Sequence, residues 1–275
     1  MTRLPLPPLE LRRIAGPIDD RSFDNPKGKL IFPDLPLEAY DSVFDWGCGC
    51  GRTARQLMLQ KTPPKKYVGV DLNRTAVQWC VQHLAPHASQ FEFLHQDVYN
   101  IGLNPKGTAN ELPFPVEDQS VSLLIAWSVF SNVLEQSIPF YLREVARVLR
   151  PDGIAYTTWL VFDKNDFPVL LDSQNAMYIN PVDPTNAVYY DRSWLQKTAR
   201  QAGLIFSTIH APGLRGGARR ILMRPASSNA PEADFTDAPP WWQSVIARVA
   251  RAWRGPAAHT APAAPAARGT RTRHA

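Results

Sequence analysis

The stretch Val43-Phe44-Asp45-Trp46-Gly47-Cys48-Gly49-Cys50-Gly51 decides the reading of this chain. A short apolar run passes through an acidic residue into three glycines at alternate positions. A helical pattern, Arg52-Thr53-Ala54-Arg55-Gln56-Leu57, follows at once. A buried strand that turns through glycines into a helix start lets a ligand approach the backbone closely. Further along, Tyr67-Val68-Gly69-Val70 reads as a second strand and ends in Asp71. A glycine loop plus a strand-end carboxylate is how open α/β sheets hold an adenosine ribose.

From Ser42 onward strands alternate with helices. Strands are expected at 42–46, 66–71, 91–95, 121–127, 154–160, 204–210 and 219–224, and helices at 51–60, 73–85, 134–149 and 191–202. Val77, Cys80, Val81 and Leu84 mark the apolar face of the second helix, and Tyr141, Leu142, Val145, Val148 and Leu149 that of the third. Pro151-Asp152-Gly153 is expected to end the third helix and turn into the next strand. Residues 99–119 read as irregular and 161–188 as a loop-rich insert. Such alternation implies right-handed crossovers and a Rossmann-like, doubly wound α/β sheet of seven strands. The sheet is mostly parallel. Its last strand is antiparallel, because only a short turn-rich link separates it from the one before.

Two ligands compete for the glycine loop. A dinucleotide brings a pyrophosphate, and its loop reads G-x-G-x-x-G with little negative charge nearby. Here the spacing is G-x-G-x-G, and Asp45 stands two residues before the first glycine. A carboxylate there repels a pyrophosphate and suits a ligand carrying an ammonium and a sulfonium. At about 4 Å and partial burial a unit charge pair is worth several kcal/mol, so the sign matters.

On these residues the chain resembles the class I S-adenosylmethionine-dependent methyltransferases, whose first motif is acidic-x-Gly-x-Gly-x-Gly. Two later stretches carry the same resemblance. Leu112-Pro113-Phe114-Pro115-Val116-Glu117-Asp118-Gln119-Ser120 is similar to the lead-in to their fourth strand. Glu144-Val145-Ala146-Arg147-Val148-Leu149-Arg150-Pro151-Asp152-Gly153 is similar to their E-x-x-R-V-L-R-P-G-G signature. The likeness spans about residues 42–160 and lies nearest the small-molecule, "type 11"-like group acting on sugars, lipids and natural products. No Asn/Asp-Pro-Pro-Tyr motif follows the fourth strand, which disfavours methylation of a DNA base.

The resemblance implies S-adenosylmethionine as cofactor and assigns roles by position. Asp45 would face its methionine end, directly or through water, and Gly47, Gly49 and Gly51 would cradle it. Asp71 would take the ribose hydroxyls, and Leu72 would lie against the adenine. Asp97 and Val98 would receive and donate at the adenine edge, and Trp127 would close the pocket after the fourth strand. Trp127, Phe130, Trp159 and Tyr178 are candidate walls for an acceptor, against the alternative that aromatics after strands are core. Many relatives carry His where this chain has Asn132. The catalytic base is therefore open, with His210 and Asp163 as weak candidates and His95 as a structural residue.

The composition sets the remaining bounds. A chain of 275 residues holds one α/β domain with extras. Three domains of organisation are expected: an N-terminal arm at 1–40 packing over the cofactor mouth, a methyltransferase domain at 41–225, and a tail at 226–275. Within the tail, 241–254 reads as an amphipathic basic helix, with Trp242, Val245, Ile246, Val249 and Trp253 opposite Arg248, Arg251 and Arg254. It suits either docking on its own domain or a foothold on an anionic membrane or protein partner. The Ala/Pro-rich end beyond it reads as disordered. The net charge of +5 is concentrated there: six arginines and no acid lie in 245–275, which leaves the rest of the chain at −1. No nucleic-acid partner is expected from so neutral a domain. Three cysteines make neither a disulfide framework nor a metal site, and the N-terminus is too proline-rich for a secretory signal, so a cytoplasmic setting is expected. The resulting expectation is methyl transfer to a small-molecule, sugar or glycan hydroxyl. The alternative is a non-catalytic, cofactor-binding scaffold.

Overall fold

In a computed structural model, which describes residues 4–16 and 18–235, the sheet is built outward from β1 (Ser42–Trp46). Every β1 residue is buried, as in β4 (Val121–Ala126), and the two strands pair in parallel. Strands buried on both faces read as continuous apolar runs, which is the mark of the centre of a parallel sheet. Beside β1 lie β2 (Lys66–Asp71) and then β3 (Phe91–His95), both parallel. Beside β4 lies β5 (Leu149–Phe162), also parallel. The main sheet is completed by β9 (Arg219–Pro225), antiparallel to β5, and by β8 (Leu204–Ile209), antiparallel to β9. The spatial order is β3-β2-β1-β4-β5-β9-β8, seven strands of which only the last in sequence runs against the rest.

Side chains of β1 alternate between two cores, as strand geometry requires. Phe44 and Trp46 join a cluster with Leu142, Val145 and Val148 of α4 (Ile138–Val148) and Leu195 of α5 (Arg192–Gln201). Val43 faces the other cluster, with Leu57 of α2 (Arg52–Met58) and Val77 and Cys80 of α3 (Arg74–His83). All five residues assigned to the apolar face of the third expected helix are buried. On α3, Val77 and Cys80 are buried, but Val81 is 46% exposed: the buried stripe follows the three-residue spacing and leaves Val81 on the flank.

Two expectations are corrected. Pro151-Asp152-Gly153 does not form a separate turn; it is absorbed into β5, where the pairing with β4 jumps from Val121–Leu149 to Leu123–Ile154. Such a bulge takes up extra residues without leaving the ladder. The stretch 161–188 is not purely loop. The end of β5 pairs with β7 (Val188–Asp191), which pairs with β6 (Ala176–Tyr178). Strands of three and four residues are too short to show a period-two pattern in sequence.

The segment before β1 contains α1 (Leu9–Ala15) and packs through Phe23, Phe32, Leu35 and Tyr40 into the α2/α3 core. Among the described residues no helix is long and apolar enough to cross a membrane. The amphipathic stretch 241–254 and the Ala/Pro-rich end lie outside the described residues.

Candidate active site

The chain order reverses between β1 and β4: β2 and β3 lie to one side, β5 to the other. In open α/β sheets that switch point, at the carboxyl ends of the strands, is where ligands bind. A cavity of about 1190 Å³ opens there. Its floor is the loop after β1, Trp46 to Cys50, and its walls include Asp71, Leu72, Gln96, Val98 and Trp127.

The glycines do different work. Gly47 sits at φ 84°, and a Cβ on it would lie 2.4 Å from Val129 Cγ2. Gly49, at φ 54°, donates its N–H to Asp71 Oδ2 at 2.8 Å. Gly51, at φ 79°, does not line the cavity; a Cβ there would lie 2.4 Å from Leu84 Cδ1 and 3.0 Å from Cys80 Sγ. It is glycine so that α2 can start and α3 can pack against it. Asp71 is thus held from two sides, since Oδ1 also accepts the Asn73 N–H at 2.7 Å. Burial pushes its carboxyl up, and the amides of Asn73 and Gly49 pull it back towards the charged form.

Asp45 requires correction as a cofactor contact. It is 2% exposed, does not line the cavity, and accepts the Tyr67 hydroxyl proton at 2.7 Å. Strand alternation sends it beneath the loop, towards α2 and α3, while Trp46 reaches the cavity. Burial raises its carboxyl to about 7, with Tyr67 and Arg52 acting the other way. Its field reaches the site from one layer below, and only in part.

Asp97 is likewise turned away. Its oxygens accept Asn104 Nδ2–H at 3.1 Å and Thr108 Oγ1–H at 2.9 Å, and these bonds hold its carboxyl below the usual range. It pins the 99–110 loop while its neighbours Gln96 and Val98 line the cavity. Of the residues singled out in the sequence for the cofactor, the structure gathers Gly47, Gly49, Asp71, Leu72, Val98 and Trp127 around one space. It sets Asp45, Gly51 and Asp97 behind them.

Neither weak catalytic candidate reaches the cavity. His210 faces Asp34 and Arg220, its Nε2 3.6 Å from Asp34 Oδ2 and its Nδ1 3.3 Å from Arg220 Nη2. Asp163 pairs with Arg192 and accepts the Asn165 N–H at 3.0 Å, as a cap on a short turn. Of the four aromatic walls, only Trp127 lines the cavity. Phe130 and Trp159 stack on each other at 3.8 Å in the core, and Tyr178 lies at the surface with its hydroxyl accepting the Glu135 N–H. His95 bonds the Leu72 carbonyl at 3.0 Å, a structural contact.

Sequence reading missed several lining residues. Arg52, first in α2, lays its guanidinium over the Trp127 ring at 5.7 Å. Tyr141 lines the cavity from α4, packed at 4.5 Å against Trp46, and burial pushes its hydroxyl up to about 12. Glu111 and Asp183 bring carboxylates from two irregular loops. These loops meet: a Cβ on Gly102 would lie 2.9 Å from Asp183 Oδ2. Leu11 and Ile14 of α1 line the cavity from the N-terminal side. Only Arg52 carried a signal, by following the last glycine. Ser128, after β4, sits at φ 58° with its N–H donated to Thr158 Oγ1 at 2.7 Å; a non-glycine residue held there is a strained point in the cavity wall.

Cys48, Cys50 and Cys80 are free, buried thiols, and burial raises all three, Cys50 to about 11. They are packing residues rather than thiolate nucleophiles.

Comparison with known proteins agrees with this geometry. A family model described as "Methyltransferase domain" matches residues 43–153. The chain is 29% identical over 142 residues to a probable phthiotriol/phenolphthiotriol dimycocerosates methyltransferase of Mycobacterium ulcerans, covering 44% of this chain and 48% of that one. It is 32% identical over 111 residues to a fatty-acid O-methyltransferase of Mycolicibacterium smegmatis, covering 40% and 34%. It is 27% identical over 131 residues to the tRNA N(3)-cytidine methyltransferase METTL2 of Gallus gallus, covering 46% and 33%. The chain thus spans between a third and a half of the length of these relatives. Among solved structures, the complex of the Haloferax volcanii Trm112 methyltransferase activator with a putative methyltransferase shares the fold, with a TM-score of 0.50 at 16% identity over 70% of this chain and 85% of that one.

Proposed function

We propose that the chain is a class I S-adenosylmethionine-dependent methyltransferase, as the match of residues 43–153 to a methyltransferase-domain model supports, and that it methylates a hydroxyl of a small molecule, sugars and glycans included. In this reading residues 41–225 are the catalytic domain, 1–40 the arm over its mouth and 226–275 a tail whose basic stretch meets an anionic surface or partner. A reducing cytoplasm suits its three free thiols.

The observation that supports the reading is the size and mixed lining of the cavity. At about 1190 Å³ it exceeds a pocket for a single small ligand, which runs to roughly 300–1,000 Å³. On the β2 side, Gly49 and Asp71 offer a ribose-binding carboxylate fixed by backbone amides. Leu72 and Val98 are apolar faces for a purine. Elsewhere in the lining, Asn132, Gln136, Asp183, Thr185, Asn186 and Arg215 offer the donors and acceptors that a hydroxylated molecule needs.

When bound, the cofactor supplies a methyl group on a sulfonium. What the chain supplies is alignment and exclusion of water. Well-oriented positioning of two reactants is worth about 7–11 kcal/mol. Besides Asp71, Glu111 and Asp183 line the cavity with carboxylates and would accept the acceptor's proton.

The test is transfer of labelled methyl from S-adenosylmethionine by the full chain to separate panels of sugars, hydroxylated lipids, fatty acids and tRNA. A methyl ether on a small molecule is the expected product. Label in tRNA or in a carboxyl ester would contradict the acceptor class. A second reading, a cofactor-binding scaffold without turnover, is kept by one observation: neither His210 nor Asp163 reaches the cavity. Tight cofactor binding with no transfer to any panel would favour it.

A further inference from the structure

The loop that Asp97 pins presents apolar side chains to the cavity. Tyr99, Ile101 and Leu103 alternate along its tip, each lines the cavity, and each is between 36% and 48% exposed. Large apolar side chains left in water one at a time are ordinary. Three on one loop tip, all on a cavity wall, form a patch of the kind a ligand covers. The loop is built to hold them there. The buried Asn100 side chain accepts the N–H groups of Gly102 at 3.1 Å and of Leu103 at 2.9 Å. Its backbone exchanges two hydrogen bonds with Asn104, and Tyr99 donates its N–H to the Ala109 carbonyl at 2.7 Å. A backbone tied at these points keeps the three side chains uncovered.

A carboxylate stands against this tip. A Cβ on Gly102, between Ile101 and Leu103, would lie 2.9 Å from Asp183 Oδ2, so glycine is what lets the two loops approach. Asp183 Oδ1 accepts the Thr185 N–H at 3.0 Å and the Thr185 hydroxyl proton at 2.6 Å. Oδ2 has no hydrogen-bond partner among the described residues. One oxygen thus fixes the side chain, and the other is left to accept a proton from a ligand. Residues 99–103 carry no charge, so the tip offers nothing to an anionic group. Ile101 and Leu103 offer no hydrogen bond either, and the many hydroxyls of a bare sugar would be desolvated against them at a cost. A hydrocarbon gains there what a sugar loses.

We propose that the acceptor is an alcohol with a hydrocarbon chain, its hydroxyl donating to Asp183 Oδ2 and its chain lying on Tyr99, Ile101 and Leu103. The inference rests on the reading of the cavity as a methyl-transfer site. It narrows the acceptor from hydroxylated small molecules at large to those with an apolar body.

The experiment titrates straight-chain primary alcohols, from butanol to decanol, into the full chain saturated with S-adenosylhomocysteine, the demethylated donor. Calorimetry is run on the wild type, on the double variant Ile101→Asn with Leu103→Asn, and on Asp183→Asn. Wild-type affinity should rise roughly 2- to 4-fold with each added methylene. In the double variant, whose replaced side chains are exposed, that gain should nearly vanish. Asp183→Asn should weaken every alcohol by roughly 5-fold, the difference between a charged and a neutral acceptor, and keep the wild-type gain per methylene. Equal affinity along the wild-type series would overturn the proposal, as would a gain that survives in the double variant or an Asp183→Asn variant that binds as the wild type does. A double variant that loses sedimentation with phosphatidylcholine vesicles but keeps the gain would assign the tip to a membrane and overturn it too. Absence of S-adenosylhomocysteine binding by the wild type would remove the donor-site reading itself, a different failure.

Discussion

At the scale of single residues, the two acids nearest the glycine loop show how little a side chain's identity says without its direction. Asp71 and Asp45 both stand at the ends of central strands. Asp71 is aimed into the cavity and held by two amides, while Asp45 is aimed beneath it and held by a phenol. That difference has a pH signature. Asp45 titrates near 7 in the folded chain and near 4 in the unfolded chain. Between those values the folded state binds more protons at this group, so the contribution of Asp45 to stability is greatest below about pH 4 and is lost as pH rises to 7. Asp71, also pushed up by burial, adds in the same direction. Asp45→Asn should flatten this fall, by an amount on the order of a few kcal/mol across the window. Melting temperatures of both proteins from pH 4 to pH 8 check it. A variant that keeps the wild-type slope would show that the carboxyl is not held neutral by burial.

At the scale of elements, sequence pattern located the strands and helices well where they are long and apolar. β1 and β4 are continuous runs of buried residues, and α4 buries Ile138, Tyr141, Leu142, Val145 and Val148 at helical spacing. It failed where elements are short or where hydrogen bonds decide the outcome. β6 and β7 have three and four residues. Asp97 looked like an adenine ligand from its place after β3, and nothing in sequence shows that Asn104 and Thr108 would claim both of its oxygens. The Glu144…Arg147 signature was legible as a motif but not as a device. Glu144 accepts the Phe114 N–H at 2.7 Å, and Arg147 donates to the carbonyls of Phe114 and Val116. The pair ties the 112–119 lead-in to α4, so the two resembling stretches are one structural unit. Glu144→Ala leaves that amide without its acceptor and takes one of two carboxylates from Arg147, which keeps Asp118, and should destabilise by about 2–3 kcal/mol in denaturant melts. Two glycines separate strain from crowding. Gly203→Ala, at φ 84° with nothing within 4 Å of the new Cβ, should cost about 1 kcal/mol. Gly51→Ala, at φ 79° with Leu84 and Cys80 in the way, should cost at least about 2 kcal/mol more. Equal costs would mean that α3 yields freely.

At the scale of the whole molecule, one buried arginine joins the N-terminal segment to the site. Arg55 of α2 is 2% exposed and donates to the carbonyls of Phe23 at 2.5 Å and of Leu4 and Pro5, both at 3.2 Å, while also pairing with Asp24. Those bonds hold the segment whose α1 contributes Leu11 and Ile14 to the cavity. Arg55→Met should therefore cost about 3 kcal/mol, speed proteolysis within residues 4–24, and weaken donor binding several-fold. Faster proteolysis with unchanged donor affinity would mean that the segment belongs to the acceptor's part of the cavity alone. The central claim is that the crevice between β1 and β4 is a site for S-adenosylmethionine with Asp71 on its ribose. Titration calorimetry of S-adenosylmethionine and of NAD against the wild type and Asp71→Ala tests it most directly. The account predicts saturable S-adenosylmethionine binding that Asp71→Ala weakens by roughly 10-fold or more, and no binding of NAD. Binding of NAD in place of S-adenosylmethionine, or S-adenosylmethionine affinity untouched by Asp71→Ala, would contradict it.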